Sequence, residues 1–454
     1  MNMNYPFKAI LVLSAFCVSG ALLAQTEQRT VTVQECVSLA LQNNPDIRAQ
    51  IEDENKSIAD YRMVKGYNSL NVDLTFAPQT ADKANQSTVT VPTNPDAKYY
   101  YYPYFNFQAT YPLYNPAASA KESVSRKNVD IAKIQGKKGR DDLVGNVKSL
   151  YYGLIRAHRI VNLRDQIRKN YESRLASIRI YVARGDRPVL EQSSAEVALS
   201  QVVLELKAAK NQESDIMSDL KTAVGLPNDA PDIVVTELPE LPDVTIGIDQ
   251  MEGLINSYCT DVQIAAARKE QAQLNITAAR MQHMPTITIF GGATYSNPNI
   301  DISRDGPSQY FNNGQKWGLV PYVGMAATVN LYAGGRVLAQ TDSAIADYNK
   351  AVYNHRRQLM NARKNAQNFL RRLKELKEQE KVVKLNIANS KMNLTLTQRS
   401  FDSGIVNQMV VQNAETGLLQ AQMSLVDAQC EYFRILAALS NLIGLEESFL
   451  CGTN

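Results

Sequence analysis

This chain is written twice, and that constrains its fold more than any other feature. Ala109-Thr110 and Leu113-Tyr114 return as Ala327-Thr328 and Leu331-Tyr332 at an offset of 218 residues, while Gly185 and Gly225-Leu226 return as Gly404 and Gly444-Leu445 at 219. The repeat reaches into packing. Ala414, Leu418, Ala421, Leu425, Ala428, Tyr432, Ile435, Leu439 and Leu442 follow the alternating four-and-three spacing of a coiled-coil seam. At offset 219 the first copy places Ala195, Leu199, Val202, Leu206, Ala209, Glu213, Ile216, Leu220 and Ala223, where only Glu213 departs from the apolar pattern. Two copies of one supersecondary unit are therefore expected, not the two to four unrelated domains that 454 residues would allow.

Within each copy the hydrophobic period runs helix, strand, loop, strand, long helix, turn and return helix. The first repeat, 25–226, opens on helical sequence from Val31 to about Lys65, interrupted at Asn43-Asn44-Pro45. Alternation over about 69–78 (Leu70, Val72, Leu74, Phe76) and 103–113 (Phe105, Phe107, Ala109, Tyr111) predicts two strands with one apolar face, separated by a polar loop over 79–98. A long helix then runs from Ala117 to Ala183, turns at Gly185-Asp186-Arg187-Pro188, and returns over Val189–Val224. A proline-rich linker, 227–247, holds a short strand near Ile233–Thr236. The second repeat, 248–446, offers a helix over Gln250–Met281, strands at about 285–296 and 317–331, and a long helix from Arg336 to Ser403 that contains no Gly or Pro. Such a helix would span about 100 Å at 1.5 Å per residue. Its turn glycine is Gly404, its return helix covers Ile405–Ile443, and 447–454 is a tail.

The N-terminus has the layout of a secretory signal peptide over 1–24, with Lys8 ahead of an apolar run from Ala9 to Ala24. No later run of about 18 apolar residues is available for a membrane helix. Strands of about ten residues do suit a tilted membrane barrel. Four of them cannot close, so membranous strands require oligomerisation, and dimers or trimers give totals of eight or twelve. Tyr99, Tyr100, Tyr101, Tyr102 and Tyr104 crowd the entry to the second strand, where an interfacial aromatic girdle would sit.

The net charge of +3 gives no electrostatic case for nucleic acid, and basic clusters such as Lys137-Lys138 and Arg356-Arg357 read as solvated helix faces. Cys36, Cys259, Cys430 and Cys451 are scattered, without metal-like spacing, and are expected as isolated thiols. His158, His283 and His355 are isolated, and no catalytic or phosphate-binding motif is present. Neither an enzyme nor a cofactor or metal site is expected. The same pattern also fits an exported structural or adhesive coiled-coil protein, with the strands as a small soluble sheet.

The Leu-Tyr-x-Gly-Gly-Arg joint at Leu331–Arg336, its partner Pro112-Leu113-Tyr114-Asn115, the Ala195-Glu196 and Ala414-Glu415 pairs ten residues after each turn glycine, and the Asn43-Asn44-Pro45 opening together resemble the TolC family of bacterial outer membrane efflux proteins. The resemblance covers nearly the whole mature length. It implies a homotrimer in which four strands per chain close as a twelve-stranded membrane β-barrel, continued by a long α-helical coiled-coil barrel through the periplasm. It also implies outer membrane lipid around the strands, and a periplasmic adaptor and inner-membrane pump as partners. The strand-to-helix joints, Leu113, Tyr114, Leu331, Tyr332, Gly334 and Gly335, would mark the level where barrel becomes tunnel. Bulky residues at both Gly334 and Gly335 are expected to impair assembly. The hairpin tips would be the gate and adaptor-docking end, with Arg184, Gly185, Asp186, Glu191, Arg399, Asp402 and Gly404 as candidates. In the family, gating rings can include carboxylates six and nine residues after the second turn glycine; here those positions hold Val410 and Asn413, whereas the sixth position of the first repeat is Glu191.

Overall fold

The computed structural model describes residues 30–82, 99–296, 300–301, 318–445 and 450–451. The signal-peptide expectation, most of both long loops and most of the tail lie outside these residues. In chain order the elements are β1 (Thr30–Val31), α1 (Val33–Asn43), α2 (Pro45–Gly66), β2 (Asn71–Asp82), β3 (Tyr99–Tyr114), α3 (Pro116–Ala183), α4 (Val189–Val224) and β4 (Val234–Val235). They continue with α5 (Ile248–Tyr258), α6 (Thr260–Arg280), β5 (Thr286–Ser296), β6 (Ile300–Asp301), β7 (Gly318–Thr328), α7 (Arg336–Asp402) and α8 (Gln408–Ile443).

Helix starts and stops follow local chemistry. A capping box opens α1: Glu35 N–H donates to Thr32 Oγ1 at 3.2 Å, and Thr32 N–H to Glu35 Oε2 at 2.9 Å. Asn44 is extended because Pro45 disfavours helical backbone before it, and that proline then serves as the first residue of α2. In the second repeat a single helix over 250–281 is expected, but two are found. They are broken at Cys259, whose extended backbone (φ −62°, ψ 113°) occupies the place of Asn44. No proline announces this break. The buried Cys259 caps both helices, donating its N–H to Ile255 O at 3.3 Å and accepting from Gln263 N–H at 3.0 Å.

The repeated glycines share one backbone task. Gly185, Gly225, Gly404 and Gly444 all have φ between 73° and 80°. Around each, the next residue's N–H reaches back to the helix end: Asp186 to Tyr181 O, Leu226 to Lys221 O, Ile405 to Ser400 O and Leu445 to Ser440 O, at 2.8–3.3 Å. This is the Schellman stop, which needs a left-handed residue.

Two compact units form, and each draws helices from both repeats. One comprises residues up to Asn44, Leu143–Pro242 and Arg372–Ala437. Here β1 pairs with β4 in parallel, a partner for the linker strand that sequence did not supply. The buried Tyr151 fastens the pair, its hydroxyl donating to Val31 O at 2.8 Å and accepting from Thr236 N–H at 3.1 Å. Lys221, also buried, holds the linker through Ala230 O and Asp232 Oδ1, both at 2.8 Å. Tyr152 stacks on Phe433 with centroids 5.1 Å apart. Every first-copy seam residue from Ala195 to Ala223 is at least half-buried, including Glu213, which pairs with His158 at 2.7 Å. That histidine is therefore not isolated. The α8 helix buries more than its predicted seam, since Val411, Val426, Cys430, Phe433 and Ala437 are buried as well.

The other unit comprises Pro45–Asp142, Asp243–Arg371 and the chain from Ala438. Its sheet has the antiparallel order β2-β3-β5-β7, with β6 pairing the start of β3. The last long strand stops at Thr328, three residues before its expected end, because the chain turns toward Gly334-Gly335. Met251, Ile255, Leu439 and Ile443 are fully buried among the helices.

Cys36, Cys259 and Cys430 are buried thiols outside any disulfide, and burial pushes the Cys36 thiol up to about 11 and that of Cys430 up to about 12. Both are expected to resist alkylation at pH 8 until the protein is denatured, as judged by mass shift with and without denaturant. A Cβ on Gly225 would lie 2.8 Å from the Asn43 backbone, whereas one on Gly185 would meet nothing within 4 Å. Gly185→Ala should therefore cost only the left-handed backbone, about 1 kcal/mol. Gly225→Ala should lower the apparent melting temperature clearly further.

Candidate channel surfaces

Register gives the four-stranded sheet two unlike faces. Val72, Leu74 and Phe76 of β2 lie opposite Ala109, Phe107 and Phe105 of β3; these face Gly291, Ala293 and Tyr295 of β5, and then Val323, Pro321 and Leu319 of β7. Ile289 and Met325 continue that face. It is apolar throughout and solvent-exposed in the single chain, with Val323 83% and Leu74 72% accessible. The opposite face carries Asn71, Asp73, Thr75, Asn106, Gln108, Thr110 and Thr294. An apolar band on one side and a polar surface on the other is the patterning of a barrel wall between lipid and water. Both strands of the first pair run longer than expected: Gln79–Asp82, read as the start of a loop, pair as strand with Tyr99–Tyr102, which precede the expected strand start at 103. Both outer strands, β2 and β7, end the sheet order.

The two joints solve one problem differently. At the first, β3 carries a register shift between Pro112 and Tyr114, and Asn115 caps α3 by accepting Ala118 N–H at Oδ1, 3.1 Å. At the second, Gly334 and Gly335 have φ of 61° and 75°, and α7 begins with Ala339 N–H donating to Gly335 O at 3.1 Å. A Cβ on either glycine meets nothing within 4 Å, so within one chain backbone conformation, not space, is the reason for glycine there. Leu331 and Tyr332 are 89% and 84% exposed, more than Leu113 and Tyr114.

At the hairpin ends, Arg184, Asp186, Arg399 and Asp402 are exposed, and Glu191 is drawn into an ion pair. Its partner is Arg187, a residue sequence reasoning left as part of a turn. The Arg187 guanidinium lies 3.0 Å from Glu191 Oε2, 4.3 Å from the centre of the buried Phe401 ring, and donates to Phe401 O at 3.4 Å. It thereby ties the first tip to the second. Farther along the hairpins a second tie is buried: Arg174 and Glu415 form a two-pronged pair with 9% and 6% side-chain exposure, one prong at 2.9 Å. Burial, then the nearby Glu415 charge, raises the Tyr171 hydroxyl above its ordinary range. The repeat-equivalent Glu196 behaves otherwise. It stays partly exposed and pairs at 2.9 Å with Arg179 of its own hairpin, whose bond holds the carboxyl below the usual range. Offset 219 puts Gln398 where that arginine stands, so Glu415 has no cation in its own hairpin at that position and takes Arg174. The Ala-Glu duplication is visible in sequence; the different partners are not. Among the described residues no helix is long and apolar enough to cross a membrane, and no group of three His, Cys, Asp or Glu is arranged for a metal.

This combination of a two-faced sheet, repeated strand-to-helix joints and long paired hairpins is the fold of TolC-like efflux channels. The outer membrane channel CmeC of Campylobacter jejuni superposes with a TM-score of 0.76 over 99% of this chain and 95% of its own, at 14% identity. In sequence, residues 259–445 match the model of the outer membrane efflux protein family. The probable outer membrane lipoprotein SilC of Salmonella typhimurium is 21% identical over 286 residues, 63% of this chain and 59% of SilC. The outer membrane protein TolC of Vibrio cholerae is 26% identical over 190 residues, 40% of this chain and 41% of that protein. The matched segment thus spans about three fifths of SilC's length.

A lysine introduced on the apolar sheet face meets lipid if the sheet is a membrane wall, at about 2–4 kcal/mol each near the midplane. Val72→Lys, Ile289→Lys and Met325→Lys are each expected to deplete the protein from the outer membrane fraction, whereas Gln108→Lys on the polar face should not. Fractionation with immunoblotting reads the difference.

Proposed function

We propose that this protein is the outer membrane channel of a tripartite efflux or secretion system. Three copies form a homotrimer in the bacterial outer membrane, and substrates pass passively through it from an inner-membrane pump joined by a periplasmic adaptor. The observation that carries this reading is the sheet: two unlike faces and two outer strands with no further partner in the described chain. In lipid an open strand edge leaves backbone groups unsatisfied. The strand directions allow β7 of one copy to meet β2 of the next in antiparallel fashion, a head-to-tail contact that closes on itself by rotation. Two copies would give eight strands and an interior filled by side chains; three give twelve and room for a lumen. The match of residues 259–445 to the outer membrane efflux protein family, and the outer membrane relatives SilC and TolC, support the same reading.

The hairpin tips serve as the closable end and the docking surface for the adaptor, with Arg184, Asp186, Arg399 and Asp402 available to a neighbouring copy. Arg187 and Arg174 keep the second hairpin against the first, so breaking these ties frees it to move. In planar bilayers the purified trimer should conduct weakly, and Arg187→Ala with Arg174→Ala should raise its conductance several-fold. In cells, cross-linking should recover a trimer in the outer membrane fraction. Recovery as a soluble monomer would sink the channel reading, and an unchanged conductance in a trimeric double variant would remove these ties from the gate.

A further inference from the structure

The polar face of the sheet carries a built feature that passive conduction does not require. Phe290 of β5 lies opposite Gly324 of β7, and Tyr322 of β7 lies opposite Gly292 of β5. Each ring covers the glycine facing it. A Cβ on Gly324 would sit 2.6 Å from Phe290 Cζ, and one on Gly292 would sit 2.8 Å from the Tyr322 hydroxyl oxygen. Tyr322 crosses β5 altogether, since its hydroxyl donates to Asn106 Oδ1 on β3 at 3.0 Å, an acceptor shared with the Thr294 hydroxyl at 3.1 Å. Two strand spacings amount to about 9.5 Å, so a tyrosine reaching that far lies close to the plane of the sheet. With Phe290 at 6.3 Å between centroids and 52° between planes, the pair forms a shallow aromatic corner. Both rings are only half-buried.

Charge on this face is equally selective. Asp73 is the only charged residue among the described side chains of the four long strands, and Asn71 Nδ2 donates to its carboxylate at 2.9 Å. It shares one cross-strand row with the corner, through Gln108 and Gly292 to Tyr322. If β7 meets β2 of the next copy, the neighbouring copy's Asp73 comes onto the strand beside the aromatic pair.

We propose that Phe290 and Tyr322 of one copy, with Asp73 of the next, form a lumenal wall site for planar organic cations, an inference that rests on the channel reading above. A flat cation gains from ring faces by stacking and cation–π attraction and from the carboxylate by Coulomb attraction. A neutral planar solute gains from stacking alone, and a non-planar cation gains cation–π and Coulomb attraction without stacking. Three such sites would ring the lumen and slow, without stopping, a passing cation.

The test is open-channel block in planar bilayers, with ethidium as the planar cation and tetraethylammonium as the non-planar one. The half-blocking ethidium concentration should rise about fivefold in Asp73→Asn and in Phe290→Leu/Tyr322→Leu, while Tyr322→Phe, which keeps the ring, stays near wild type. Tetraethylammonium, which has no flat face to stack, should lose block in Asp73→Asn and lose less than ethidium does in Phe290→Leu/Tyr322→Leu. Conducting trimers whose ethidium block is the same in wild type, Asp73→Asn and Phe290→Leu/Tyr322→Leu overturn the wall site and leave the channel reading standing. A Tyr322→Phe variant that loses block as fully as the leucine variant also overturns it. A wild-type chain that never forms a conducting trimer fails the channel reading itself.

Discussion

Backbone hydrogen bonding at the two outer strands is the constraint on which the proposed assembly depends. Within a chain β2, β3, β5 and β7 satisfy one another, but the outward edges of β2 and β7 are left. In water such edges can be solvated; in hydrocarbon they cannot. A sheet with an apolar face that reads Val72, Leu74, Phe107, Tyr295, Val323 and Met325 from strand to strand is suited to lipid only as part of a closed wall. In the proposed channel closure and oligomerisation are therefore one requirement, and the exposed Leu331 and Tyr332 lie beside the second joint.

In the proposed channel the hairpins meet a different requirement, since a gate has to hold and yet release. The duplicated sequence starts both hairpins alike, with the same left-handed glycine stop and the same Ala-Glu pair. Small substitutions then divide their roles. Arg179 keeps Glu196 at the surface of the first hairpin, while Gln398 leaves Glu415 to a buried pair with Arg174. Removing one member of a buried pair strands the other charge, so such a tie is specific in geometry even where its net contribution to stability is small. Arg187 adds a cation–π contact and a carbonyl bond to the same coupling. The asymmetry between repeats, more than the repeat itself, is what ties one hairpin to the other.

Much of the fold was legible because its signals are local. Period-two alternation found the four long strands, proline and glycine marked the helix ends, and the offset of 219 identified equivalent turns. What was missed lacks a local signal. The break at Cys259 has no proline, β1 is two residues that matter only because β4 and Tyr151 meet them, and Glu213 looked like a flaw in a seam until His158 was placed beside it. The candidate tip residues were chosen by nearness to a turn. That criterion could not separate Arg187, whose partners lie on Phe401 and Glu191, from the exposed Arg184 and Asp186.

By itself the sequence determined the duplication, the order of the long elements, and the two-faced character of the strands. These follow from side-chain periodicity and from the backbone limits of glycine and proline, which act within a few residues. Only the tertiary structure decided which faces align across strands, which arginine holds which carboxylate, and which glycines lie under aromatic rings. Those outcomes depend on register and burial between segments far apart in the chain, such as Arg174 with Glu415 or Tyr322 with Asn106.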